Sequence, residues 1–146
     1  MSTVLTNEII QKRLVEKFGD AVTNMEEPYG MFSFEVPKDL NLKVMQFLYD
    51  EPDLNFRFLT DVCAVHYPDQ KDKELCMMYQ LHSLRHNYRL RIKVYFPISD
   101  PVMPTLTDVY AAANWMEREA YDFYGIVFAG HPNLIRILNV EDMEYH

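Results

Sequence analysis

The chain lacks any apolar run long enough to cross a bilayer. A spanning helix needs about 20 consecutive apolar residues, and here the uninterrupted apolar runs are only a few residues long. Met1 to Phe18 has amphipathic and not signal-peptide character, so a soluble chain that is not exported is expected. Cysteine is scarce: Cys63 and Cys76, without CxxC spacing or matched histidines, make neither a disulfide framework nor a zinc site, and a cysteine-ligated iron–sulfur cluster wants four ligands. A reducing cytoplasm fits them best, with both thiols expected to be buried and inert. Basic residues are also few, 14 Lys and Arg against 22 Asp and Glu for a net charge of −8, which argues against a polyanion as partner of the whole chain. Internal repeats, low-complexity tracts and long linkers are missing too. The 146 residues are therefore read as one domain, 1–146, of a size that buries roughly 70% of the surface its unfolded chain exposes.

What the sequence has in quantity is aromatic residues, 14% of the chain, and clear periodicity. In "TNEIIQKRLVEKFGD", Ile10, Leu14 and Phe18 recur at helical spacing after the capping candidates Thr6 and Asn7, and Gly19 can stop the helix. "MFSFEV" alternates, Phe32, Phe34 and Val36 against Ser33 and Glu35, predicting a half-buried strand paired with a short one near "AVTNM". "DLNLKVMQFLYDEP" places Leu42, Met45, Leu48 and Tyr49 on one stripe, with Asp39 or Asn41 as cap. Three more strands follow in "FRFLTDVCAVHY", "ELCMMYQLHSL" and "YRLRIKVYF". In the last, Tyr88, Leu90, Ile92, Val94 and Phe96 face one way and Arg89, Arg91, Lys93 and Tyr95 the other. "FPISDPVMPTLTD", with three prolines, predicts a loop, and a third helix is expected from near Thr107 to Gly125, capped by Thr105 or Thr107. The fold class that results is α+β: two layers, a mostly antiparallel or mixed sheet of about five strands, and helices packed on one face.

The third helix poses the functional question. Glu117, Arg118, Glu119 and Asp122 fall within six positions between Trp115 and Phe123. Glu119 and Asp122 share a face, Arg118 stands four before Asp122, and Glu117 lies on a flank. Three readings are open. Paired carboxylates can serve as general acid and base, or as hard-metal ligands together with His131, although no HExxH accompanies them and nothing sits at ligand spacing near His131. A solvated helix face laced with weak salt bridges is the plainest. A charge network that specifies a protein partner is the third.

The string "ERE" (Glu117 to Glu119), then "YDFYGIVFAGHPNL" and "RIL" (Arg136 to Leu138), resembles the signature of the C subunit of the NADH:quinone oxidoreductase, respiratory complex I, a family with chloroplast and membrane-bound hydrogenase relatives. The upstream "FLTDVCAVHYP" and the order of helices and strands look like the rest of its domain. What the resemblance implies is a non-catalytic assembly subunit in the peripheral arm of a proton-pumping complex that passes electrons from NADH to quinone. It binds no cofactor itself, since flavin, iron–sulfur clusters and quinone belong to partner subunits. Its implied partners are the large quinone-site subunit and the iron–sulfur subunits, on the cytoplasmic side of a bacterial inner membrane, with the membrane reached only through the complex. Glu117, Arg118, Glu119, Asp122, His131 and Arg136 become its partner-interface residues, with no catalytic, cofactor or metal role. Two departures stand out: Ile135 occupies a place where many relatives are basic, and the chain closes at "VEDMEYH" where relatives continue into a tail, so that tail is expected to be absent or trimmed. The alternative is a stand-alone metal-dependent hydrolase using Glu117, Glu119, Asp122 and His131.

Other residues get plainer expectations. Arg85, His86, Arg89, Arg91 and Lys93 read as a solvent-facing row or a dock for an acidic neighbour, not for nucleic acid. His66, His82 and His86 read as surface histidines, and Trp115 as either interface anchor or core.

Overall fold

A computed structural model describes residues 5–27 and 30–132; Ile135, Arg136 and the closing "VEDMEYH" lie outside the described residues. Helix α1, Asn7–Phe18, begins where expected: Thr6 is its N-cap, with Oγ1 accepting from the Ile9 amide at 3.3 Å. Ile10 and Leu14 are buried, and Gly19 ends the helix with φ of 62°, a value few other residues adopt. Strands β1 (Thr23–Glu26) and β2 (Phe32–Glu35) pair antiparallel. Helix α2 spans Lys38–Asp50. Pro37, in extended conformation, occupies its N-cap, and neither Asp39 nor Asn41 caps it. Proline's fixed φ and missing amide suit a helix start, so the helix opens earlier and Asn41 is carried inside, fully buried beside Val44, Met45 and Leu48.

Strands β3 (Phe58–His66), β4 (Leu75–Ser83) and β5 (Tyr88–Phe96) form two hairpins, completing a sheet of order β1-β2-β5-β4-β3. The sheet is mixed: β2 and β5 run parallel. Parity explains this. Helix α2 returns the chain to the end of the sheet from which β2 started, so β3 runs the same way as β2 and, two hairpins later, so does β5. Alternation then settles burial. Leu59, Leu81 and Leu90 stand in register across β3, β4 and β5 and all are buried, as are Met77 with Val94 and Tyr79 with Ile92. The helices cover this face, while Arg89, Arg91, Lys93 and Tyr95 stand on the other.

The proline-rich stretch is not wholly loop. Val102–Pro104 is strand β6, paired parallel with β7, Val127–Ala129, in a small separate sheet; proline is tolerated in so short an edge element. Between them, helix α3 covers Ala113–Tyr124. It starts six residues after Thr107, because Leu106 to Ala113 closes turns of its own, with Tyr110 N bonded to Leu106 O at 2.8 Å and Ala113 N to Tyr110 O at 3.0 Å. Its end is as expected: Gly125 adopts the left-handed conformation (φ 72°) and bonds Tyr121 O at 3.0 Å. The cysteines divide. Cys76 is buried and its thiol is pushed up to about 11 by burial, but Cys63 is exposed on β3, contrary to expectation, because β3 is the last strand of the sheet.

Candidate protein-interaction site

Helix α3 inverts the usual pattern. Ala113, Glu117 and Ala120 recur at i, i+4 and i+7 and point inward, so a carboxylate occupies the middle of the packing stripe. Glu117 is fully buried. Its Oε1 accepts from the Thr105 hydroxyl at 2.6 Å and its Oε2 from the Leu106 amide at 2.8 Å. These bonds fasten the segment after β6 onto α3, and they are the task that the short "PTLT" run performs in place of capping a helix. Burial pushes the Glu117 carboxyl up to about 7, with the bonds from Thr105 and Leu106 pulling the other way. The arrangement tolerates both charge states. Thr105 Oγ1 also lies 3.0 Å from Thr107 Oγ1 and accepts from Thr107 N at 3.2 Å. An ionised Glu117 accepts a hydrogen bond from the Thr105 hydroxyl; a protonated one donates to Thr105, which then donates to Thr107.

The other signature residues are distributed around the helix. Asp122 is also fully buried, but five residues of helix amount to about 140° of rotation, so it and Glu117 enter different surroundings and make no carboxylate pair. Glu119 is exposed. Arg118 sets its guanidinium over the Trp115 ring at 5.6 Å. His131 Nε2 lies 3.1 Å from Asn114 O in the first turn of α3, where it joins the segment after β7 to the helix. Arg136 lies outside the described residues. Among the described residues no group of three or more His, Cys, Asp or Glu is arranged to hold a metal. None of the helices among them is long and apolar enough to cross a membrane.

What α3 shows outward is aromatic. Trp115 is 55% exposed and Phe123 47%, with Tyr124 and Val127 also on the surface. Between the helix and β3 runs a groove of about 380 Å³, lined by Val62, Cys63 and Ala64 on the strand and by Met116, Glu119, Ala120, Phe123 and Tyr124 on the helix. Sequence reasoning names Trp115 but not the groove. Helical spacing groups Phe123 with Val109, Ala112, Ala113, Met116 and Ala120 as one apolar core stripe, but the structure leaves Ala112 and Phe123 exposed, because the side of the helix that packs inward is centred on Ala113, Glu117 and Ala120. Elsewhere the basic row is partly satisfied internally, Lys93 pairing with Glu26 at 3.4 Å and Arg85 donating to Pro52 O at 2.9 Å.

Comparison with known proteins gives a consistent result. The profile of the family described as "Respiratory-chain NADH dehydrogenase, 30 Kd subunit" matches residues 34–146. The C subunit of the NADH-quinone oxidoreductase of Mycobacterium ulcerans (strain Agy99) is 42% identical over 130 residues, 89% of this chain and 55% of that protein. The protein of the same name from Mycobacterium tuberculosis (strain ATCC 25618 / H37Rv) is 42% identical over 139 residues, 95% of this chain and 58% of that protein. The chain thus spans little more than half the length of these curated relatives. Among solved structures, the trypsin-resistant fragment (1-134) of Nqo5 superposes with a TM-score of 0.73 at 32% identity, covering 86% of this chain and 98% of the fragment. A chain of the membrane-bound sulfane sulfur reductase, an archaeal respiratory membrane complex, gives 0.78 at 25% identity, covering 92% and 77%.

Proposed function

The chain belongs to the family of the 30 kDa subunit of respiratory-chain NADH dehydrogenase, and from that premise we propose that it is a non-catalytic assembly subunit of the peripheral arm of an NADH:quinone oxidoreductase. In this role it docks to the large quinone-site subunit and to iron–sulfur subunits. It supports electron transfer from NADH to quinone in a proton-pumping complex without holding flavin, cluster or quinone, and it sits on the cytoplasmic side of a bacterial inner membrane through its partners. The observation that carries the reading is the inverted third helix: carboxylates fully buried at Glu117 and Asp122, aromatics exposed at Trp115 and Phe123. Exposed aromatics beside a polar rim are what an interface anchor requires, and the inward carboxylates fix the elements that present them. On this reading Arg118, Glu119, His131 and Arg136 complete the interface, with Glu117 and Asp122 shaping it from beneath.

The test is affinity capture of the tagged full-length protein from gently solubilised native membranes, with the co-purifying chains identified by mass spectrometry. Cluster-bearing and quinone-site subunits in near-equal amounts are the expected outcome. Recovery of the protein alone would sink the proposal.

A further inference from the structure

The two edges of the main sheet are not alike. Strand β1 is only four residues long and its register slips against β2, which are common protections of an edge. Strand β3 at the other end has nine residues, pairs only with β4 among the described residues, contains no proline, and carries a single carboxylate, Asp61. Its register is irregular only between Leu59 and Asp61; from Asp61 to His66 it pairs without a break. Along that stretch alternate residues turn an N–H and a C=O away from the sheet. The groove described above follows the same line. Val62 and Ala64 point toward α3 and Cys63 points to the opposite face, so an opening that touches all three runs along the outer edge of the strand. Its far wall is apolar at Met116, Ala120 and Phe123, and its charge is Glu119.

An unpaired strand edge beside an apolar helix wall is chemically specific. Backbone donors and acceptors at that spacing are satisfied by another extended chain, and the wall sorts that chain's alternate side chains. We infer that the outer edge of β3 receives an extended segment of a partner protein as a sixth strand, with apolar side chains entering between Met116, Ala120 and Phe123 and a Lys or Arg meeting Glu119. The charge preference follows from Glu119 in the groove and Asp61, exposed on the same strand. The assignment rests on the docking function proposed above and names the mode of that docking.

Amide-resolved hydrogen exchange over residues 58–66, on the full chain alone and in the complex it captures from membranes, tests it. Protection should appear at every second amide and slow those sites at least tenfold on assembly. Maleimide labelling of Cys63 should fall in parallel, Cys76 being already buried in the chain alone. Glu119→Lys, a change at an exposed position, should lower partner recovery several-fold while exchange across 75–96 in the chain alone stays as in the parent. Partners recovered with the β3 amides exchanging as fast as in the chain alone would overturn the inference and leave the assembly role standing. Protection that grows with concentration of the chain alone would overturn it in favour of a second copy at this edge. Recovery of no partner at all would remove both this inference and the function it rests on.

Discussion

The hairpins from Phe58 to Phe96 and the segment from Pro101 to Pro132 are built on opposite rules. In β5, the last strand of the hairpins, burial follows hydropathy position by position: Leu90, Ile92, Val94 and Phe96 are inside, while Arg91, Lys93 and Tyr95, which alternate with them, are partly exposed. The exceptions, exposed Phe58 and Leu84 and buried Ser83, lie at the outer strand and at a turn. In the later segment two carboxylates are fully buried while a tryptophan and a phenylalanine are near half exposed. The first pattern is what a chain needs to fold by itself. The second leaves apolar area in water and costs the desolvation of Glu117, so its return must come from outside the chain.

If the hairpins are the self-sufficient part, a cut there should cost most. Leu81 is fully buried and sits in register between Leu59 and Leu90. Leu81→Ala should destabilise the isolated chain by about 2–5 kcal/mol, the range for large-to-small changes in packed cores, measured by denaturant unfolding. A loss below about 1 kcal/mol would mean that this core collapses around the gap, and the contrast with α3 would weaken.

The same contrast governs what is legible in the sequence. Period-two alternation places β2 and β5 correctly, and the 3.6-residue period with Thr6 and Gly19 bounds α1. Strand direction stays open between antiparallel and mixed, because parity across a crossover helix is a property of connection and not of composition. The start of α3 is misplaced because Thr105 and Thr107 have the chemistry of helix caps; Thr105 instead donates to a carboxylate twelve residues on, a contact no local pattern encodes. Cys63 reads as buried because β3 is apolar in sequence, and an edge position is not visible from within one strand. The charge of the α3 signature is legible as a cluster, but its division into a buried Glu117 and Asp122 and an exposed Glu119 depends on which elements pack there.

Glu117 offers a sharper, smaller cut. Its unfolded carboxyl has the ordinary value of 4.5, and in the folded chain burial raises it to about 7. Between those values the folded state holds a proton that the unfolded state has released. The stability contributed by neutral Glu117 is therefore complete below pH 4.5 and is lost as pH rises through about 7. The full loss is on the order of 3 kcal/mol. Glu117→Gln keeps the size and an acceptor while removing the titration. The difference in melting temperature between variant and parent, taken from pH 5 to 8, should move steadily in the variant's favour as pH climbs and level off above about 7. Parallel curves would show that the carboxyl does not titrate in this range, and the carboxylate side of the inversion would lose its cost.

Trp115 should give the smallest effect in the isolated chain and a large one in the complex. It packs little of its own fold, and its contact with Arg118 at 5.6 Å is of a kind worth only about 0.5–1 kcal/mol at exposed sites. Trp115→Ala should therefore shift unfolding of the isolated chain by no more than about 1 kcal/mol. At an interface the same truncation removes an anchor of a class that commonly costs about 2 kcal/mol or more, so recovery of partner proteins should fall at least tenfold under the same solubilisation. The two numbers have to be read together. A large loss in the isolated chain would make Trp115 part of the chain's own core and erase the difference between the two regions. A small loss in both settings would mean that the exposed aromatics of α3 face water in the complex as well, and the bonds from Thr105 and Leu106 would then be the whole return on burying Glu117.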